Sequence, residues 1–198
     1  MHKIVAATKN KGKIEEIKQI LKDLPFEVIS MEEEEIDSDI VEDGQTFEEN
    51  AFIKARNVKK HTDGIVLADD SGLVVDMLNG APGIYSSRFA GEPSNDEKNN
   101  AKLLDIMKDI EKEKRTARFV CVIAVIMPDG RETCVRGECE GVIGFIQRGD
   151  NGFGYDPLFY LPEYGKTMAE LEPEIKNEIS HRAKALEKFK AEIKKLIS

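Results

Sequence analysis

Three features of the sequence predict an α/β fold. Apolar runs of strand length occur at residues 3–8, 26–30, 65–67 and 73–75, and again from residue 116. Between them lie segments whose apolar residues recur at spacings of three and four, the period of a helix with one buried face. The two kinds of segment mostly alternate, with no internal repeat and no low-complexity linker.

Residues 3–8 (KIVAAT) read as a buried strand. A helix follows, with Ile14, Ile17, Ile20, Leu21 and Leu24 on one face. FEVIS at 26–30 is a second short strand, and the acidic stretch 31–44 reads as a solvated loop. Thr46 caps the next helix and Glu49, three residues on, completes a capping box. Phe47, Ala51, Ala55 and Val58 form its apolar stripe, with a polar stripe of Asn50, Lys54 and Asn57 beside it. Residues 64–78 read as strand, acidic turn, strand, the turn being Asp69-Asp70-Ser71-Gly72. A loop over 79–91 leads to an amphipathic helix with Ser94 as N-cap and Lys108 to Arg115 as its solvated end. A long hairpin turning at Pro128-Asp129-Gly130 comes next. Residues 149–167 form a Gly- and aromatic-rich loop with one short strand, and Ile179, Ala183, Leu186, Phe189, Ile193 and Leu196 mark a C-terminal helix.

A chain of 198 residues suits one domain, or two lobes sharing a core. No run approaches the ~18 apolar residues of a membrane span, and the opening MHKIVAATKNKGK reads as a strand rather than a signal peptide, so a cytoplasmic protein is expected. The net charge of −9 disfavours a nucleic-acid partner, though a few lysines focused in a cleft can hold a small anion. Cys121, Cys134 and Cys139 are odd in number and lack C-x-x-C spacing, which reads as reduced structural thiols; Cys121 and Cys134 could face each other across the hairpin.

Four stretches could carry chemistry. In ATKNKGKI, residues 7–14, a strand gives way to a helix start, where backbone N–H groups and the positive helix end face one point. Lys9, Lys11 and Lys13 add charge and Gly12 allows close approach, which suits a phosphate cradle or an ordinary basic helix start. A Walker A loop is excluded, because Ala7 and Ile14 stand where Gly and Ser/Thr are needed. Asp69 and Asp70 lie between two apolar runs, where an uncompensated carboxylate pair is costly. A hard cation such as Mg²⁺, taking one or two carboxylates and leaving its other sites to water and phosphate, would account for them; a plain Asx turn closed by Gly72 is the alternative. Glu42 and Asp43 matter only if the fold brings them near Asp70. GDNGFGYDP, residues 149–157, suggests a loop wrapping a flat ligand with Phe153 or Tyr155 as stacking face, or a wide turn whose aromatics pack in the core. In KNEISHR, residues 176–182, a continuous helix would bring Lys176, Ser180 and His181 close to one face, with Arg182 adjacent, as donors for carbonyl oxygens.

Six motifs in order, T-K-N-K-G-K, F-E-E-N-A-x-x-K-A-R, A-D-D-S-G-L-x-V-D, G-A-P-G-I-Y-S-S-R-F-A-G, G-F-G-Y-D-P-L-F and S-H-R-A-K-A-L, resemble those of the Ham1-like inosine and xanthosine triphosphate pyrophosphatases. The resemblance runs from about residue 4 to the C-terminal helix. It implies one domain, a two-lobed α/β fold with a long mixed central sheet and an inter-lobe cleft, usually as a homodimer. It implies Mg²⁺-dependent hydrolysis of ITP, dITP and XTP to the monophosphate and pyrophosphate. By motif, Thr8, Lys9, Asn10, Lys11, Gly12 and Lys13 would hold the triphosphate, with Lys13 beside Asp70 among the catalytic residues. Asp70 would be general base and metal contact, Glu42 a second metal ligand, and Asp69 a third carboxylate in support. Lys54 would reach the phosphates and Ser71 would contact substrate. Phe153, Gly154, Tyr155 and Asp156 would pack around base and sugar, and Lys176, His181 and Arg182 would read the base. Lys9 is a departure, since relatives often have Gly there; a positive φ at that position would imply strain or another loop path. The rival readings are a Maf-like pyrophosphatase acting on other nucleotides and a non-catalytic nucleotide sensor.

Overall fold

The structure, a computed structural model, describes residues 2–38 and 40–197. The side chain of Leu196, expected to mark the last helix, lies outside the described residues. Seven strands form one mixed sheet in the order β2-β1-β3-β4-β5-β6-β7. These are β1 (His2–Ala6), β2 (Phe26–Ser30), β3 (Ile65–Val75), β4 (Thr116–Ile126), β5 (Glu132–Ile143), β6 (Phe159–Leu161) and β7 (Lys166–Thr167). β1 runs parallel to β2 and β3, whereas β6 is antiparallel to β5 and β7. The helices are α1 (Lys11–Leu21), α2 (Phe47–Lys59), α3 (Asp96–Met107), α4 (Pro173–Ile179) and α5 (His181–Ile197).

The chain divides into two compact units. The first comprises Met1–Asp70, Cys121–Gly137 and Arg182–Ser198. Its core joins the helical stripe Ile17, Ile20 and Leu21 to Ile4, Leu67, Cys121 and Ile123 from strands and to Leu186, Phe189 and Ile193 from α5. The parallel pairing of Ala6 with Leu67 sets the end of β1 level with β3, and the Ala7 amide extends it by donating to the Leu67 carbonyl at 2.8 Å. The loop into α1 therefore starts beside Asp69. The second unit comprises Ser71–Val120 and Glu138–His181, with a core of Leu73, Leu103, Met107, Phe119, Tyr155, Phe159 and Met168 among others.

Four local expectations need correction. Residues 65–75 are one unbroken strand, so the Asp pair sits inside β3 and not in a turn; cationic partners compensate the carboxylates where they are, and the chain has no need to turn them out to water. Asn95, not Ser94, caps α3, its side chain accepting from the Lys98 amide, while Ser94 Oγ donates to the Ser87 carbonyl. Ser180 is extended and separates α4 from α5, so Lys176 and His181 share no continuous helix. Arg115 is buried rather than solvated. Its guanidinium donates to the carbonyls of Met107, Ile110, Ile143 and Gly144, closing the C-terminal end of α3 and replacing water with four acceptors. The cysteines are free, and buried Cys121 and exposed Cys134 differ in environment.

Candidate active site

The first unit gathers charged side chains around the middle of β3. Successive strand residues point to opposite faces, so Asp69 and Asp70 meet different partners. Asp69 is fully enclosed: Oδ1 pairs with Lys13 Nζ, and Oδ2 accepts from Arg182 Nε at 2.9 Å and from Cys121 Sγ at 2.9 Å. Arg182, itself buried, pairs through its other edge with Glu16 of α1. Asp70 accepts from Lys54 Nζ at 2.7 Å through Oδ1, and Lys54 reaches Glu42 Oε2 at 2.9 Å. Asp70 Oδ2 is buried without a hydrogen-bond donor.

Local structure explains each placement. Asn10 caps α1 by accepting from the Lys13 amide at 3.0 Å, and Thr8 Oγ1 accepts from the Asn10 amide. This fixes the first turn from which Lys13 projects, and it narrows the expected cradle, since the Lys13 and Ile14 amides are already bonded to Asn10. Gly12 and Lys11 begin α1, and exposed Lys9 reaches Asp37 Oδ1 at 3.2 Å. Lys9 has no left-handed φ, so that departure carries no backbone strain. Thr46 caps α2 as expected, but Glu49 bonds the Gln45 amide, one residue before the cap. The polar stripe of α2 ties down the acidic loop: Asn57 accepts from Ser38, Asn50 accepts from the Gly44 amide at 2.9 Å, and Lys54 holds Glu42. A Cβ at Gly44 would lie 2.7 Å from Asn50 Oδ1, so only glycine fits this approach.

Burial and charge set different proton affinities on the two neighbours. Burial favours the neutral acid at Asp69, but Arg182 and Lys13 outweigh it and hold the carboxyl well below its usual range. At Asp70 burial wins over the pull of Lys54 and Lys13, and with the adjacent Glu42 charge it pushes the carboxyl up to about 6. Burial also opposes the Glu42 charge, yet Lys54 holds that carboxyl low, and in this coupled pair Asp70 is the proton-holding member. Lys54 stays charged because Asp70 and Glu42 outweigh the cost of its burial.

The second unit holds the other predicted residues. Asp156, buried, accepts from Lys176 Nζ at 2.6 Å and from the Phe153 amide at 3.0 Å. Lys176 Nζ lies 4.6 Å from the centre of the half-buried Phe153 ring. Gly152, with φ +77°, permits this closeness, because a Cβ there would meet Asp156 Oδ2 at 2.0 Å. Gly154 is gripped from α3, its amide donating to Asp96 and its carbonyl accepting from Asn100. Tyr155 packs in the core and donates its hydroxyl to the Ser86 carbonyl, so it presents no exposed face. His181 stacks on Phe119, ring centres 4.7 Å apart. Ser71 is half-buried and opens this unit.

The structure thus brings Lys13, Lys54, Glu42, Asp69, Asp70 and Arg182 into one cluster, and Phe153, Gly154, Asp156 and Lys176 into another. Arg182 pairs with Asp69 and Glu16, whereas Lys176 pairs with Asp156. Glu16, Asn50 and Cys121 are participants that pattern reading missed. Asn50 had a signal, lying one helical turn before Lys54 on the same stripe; Glu16 and Cys121 had none. Among the described residues, no group of three or more His, Cys, Asp or Glu side chains could hold a metal ion. A smaller donor set remains: Glu42 and Asp70, with one buried oxygen lacking a donor.

A mixed α/β sheet carrying buried carboxylates against lysines, one of them at a capped helix start, has the charge arrangement of a protein that handles a small polyanion. The sequence matches the Ham1 family over residues 4–192, and the chain belongs to that family. It is 49% identical over 203 residues to the dITP/XTP pyrophosphatase of Clostridium perfringens, covering all of both chains. It is 53% identical to the protein of that name from Desulforamulus reducens, covering 94% of this chain and 92% of the relative. The solved structure of a HAM1 protein from Coxiella burnetii superposes with a TM-score of 0.88 at 43% identity, covering 98% of this chain and all of the other.

Proposed function

We propose that this chain hydrolyses the non-standard purine nucleoside triphosphates ITP, dITP and XTP to the monophosphate and pyrophosphate. The observation that carries the reading is Asp70, a buried carboxylate raised toward neutral pH, with one oxygen on Lys54 and the other without a donor. The relatives named dITP/XTP pyrophosphatases support the substrate class. Mg²⁺ fits the oxygen donors Glu42 and Asp70, because that ion takes one or two carboxylates and keeps its other sites for water and phosphate. When bound, it would neutralise charge developing on the phosphates.

In this mechanism Lys13, Lys54 and the first turn of α1 hold the triphosphate, with Thr8 to Gly12 shaping the loop. Ionised Asp70 accepts a proton from water as its oxygen attacks the α-phosphorus, and the bond to the bridging oxygen breaks to release pyrophosphate. Asp69 serves as anchor for Lys13 and Arg182. Phe153 offers the base a flat face, and Lys176 and His181 supply donors for the 6-oxo group that inosine and xanthosine share and adenine lacks. We include a homodimer in this reading, which sedimentation would check.

Pyrophosphate release is to be followed across ITP, XTP, ATP, GTP, dUTP and dTTP with Mg²⁺ and with chelator. The expected result is Mg²⁺-dependent release, fastest from ITP and XTP. Preference for dUTP or dTTP would favour the Maf-like reading, and no release from any substrate would favour a sensor. Asp70→Asn should retain nucleotide binding and lose turnover by roughly 100-fold; near-normal turnover would remove its role as base.

A further inference from the structure

Cys121 lies on β4, a strand the mechanism above does not use, and its side chain has two neighbourhoods. It is fully buried in the apolar core of the first unit, beside residues such as Leu67 and Ile123. Its sulfur also lies 2.9 Å from Asp69 Oδ2. Burial first, and then the Asp69 charge, raise the thiol well above its ordinary range, so it remains protonated and is the donor in this contact. Among its partners, Asp69 receives Lys13 on Oδ1, and Arg182 and Cys121 on Oδ2. Lys13 and Arg182 supply charge. The thiol adds none, and it approaches Asp69 from a separate strand.

We propose that Cys121 is a positioning residue, whose thiol hydrogen donated to Asp69 Oδ2 fixes the carboxylate so that Oδ1 holds Lys13 where it meets the triphosphate. This rests on the reading of Lys13 as a phosphate-binding residue. A cysteine suits the place because it packs as a small apolar side chain yet carries a weak donor. Serine and valine divide those two properties: serine keeps a donor in a smaller volume, and valine fills the core without a donor. An effect on packing and an effect on Lys13 therefore follow different variants.

The test compares Cys121→Ser and Cys121→Val with the unaltered protein in three measurements: kcat and KM for ITP, affinity for inorganic tripolyphosphate by calorimetry, and melting temperature. Cys121→Val is expected to raise KM and weaken tripolyphosphate binding by about fivefold or more, with kcat changed less than about twofold, because binding rather than the attack on phosphorus depends on Lys13. Cys121→Ser is expected to stay within about twofold on both, even where its melting temperature falls. Three results would overturn the proposal: unchanged KM and affinity in Cys121→Val, an equal loss in Cys121→Ser, or a fall in kcat at constant KM. If the unaltered protein releases no pyrophosphate from any nucleotide, the proposed function fails by itself, while the tripolyphosphate comparison still decides whether Cys121 acts through Lys13.

Discussion

At the scale of single residues, Asp69 and Asp70 share a type, a strand and near-complete burial, yet their linkage to pH has opposite signs. The folded-state affinity of Asp69 for its proton is depressed, so its stabilising contribution is present above the ordinary carboxylate range and is lost as pH falls below it. Asp70 is raised from 3.8 to about 6, so the folded protein binds its proton more readily than the unfolded chain does. Its ionisation therefore costs stability as pH rises from about 4 through about 6. In metal-free buffer, Asp70→Asn should stabilise the protein by about 3 kcal/mol at pH 8 and by nearly nothing at pH 4. Asp69→Asn should destabilise it by about 3 kcal/mol at pH 8, because Arg182 and Lys13 lose their shared counter-charge. Urea denaturation of both variants across that pH range checks the pair, and the same sign for both would refute the assignment. The sequence made the two carboxylates conspicuous through the apolar runs on either side. Separate roles for the two followed only from the family resemblance; the residues alone could not show their partners, which come from α1, α2, β4 and α5, far away along the chain.

Among the elements, α2 organises the acidic loop. Asn50 and Lys54 are one turn apart, and they hold Gly44 and Glu42 respectively, so the helix aligns the end of the loop with Asp70. Replacing Asn50 with Leu should free the Gly44 amide and loosen Glu42. With Glu42 as the Mg²⁺ ligand proposed above, the expected effect is roughly a tenfold rise in the Mg²⁺ concentration giving half-maximal turnover. A Mg²⁺ titration at saturating ITP measures it, and an unchanged midpoint would detach Asn50 from cation binding. The stripe itself was legible from spacing, and so was the cap at Thr46. What the stripe grips was not, since loop 31–44 has no periodicity to place it. The last two helices show the reverse error: apolar spacing runs smoothly from Ile179 into Ala183, while the backbone opens at Ser180. Side-chain period reports a buried face and is blind to a one-residue break in the backbone.

For the whole molecule, the two units carry different chemistry, and substitutions should sort accordingly. Lys54→Met in the first unit should slow ITP and ATP by the same factor, roughly 100-fold, because both substrates present the same phosphates. Phe153→Leu in the second should narrow the preference for ITP over ATP by about fivefold, with a smaller change in kcat on ITP. Steady-state kinetics on both nucleotides would reveal it; a changed preference in Lys54→Met would contradict this division. The α/β class and most elements were legible from alternation and period. Two lobes were expected from the family resemblance alone, and where the chain divides was not legible, because β3, β4 and β5 each contribute residues to both units. Arg115 was illegible for a related reason: in a run of charged residues nothing distinguishes the one whose acceptors are carbonyls at Met107 and Gly144.

The alternation of β3 also limits how this chain can change its length. Each residue added or removed before Asp69 would turn the strand by half a pleat, presenting the first carboxylate to Lys54 and the second to Arg182. Neither would find its proper surroundings, although the composition would be almost unaltered. Between Ile65 and Asp69, single-residue insertions and deletions should therefore abolish activity outright, while paired ones, which restore the facing, leave a route by which lineages can drift in length.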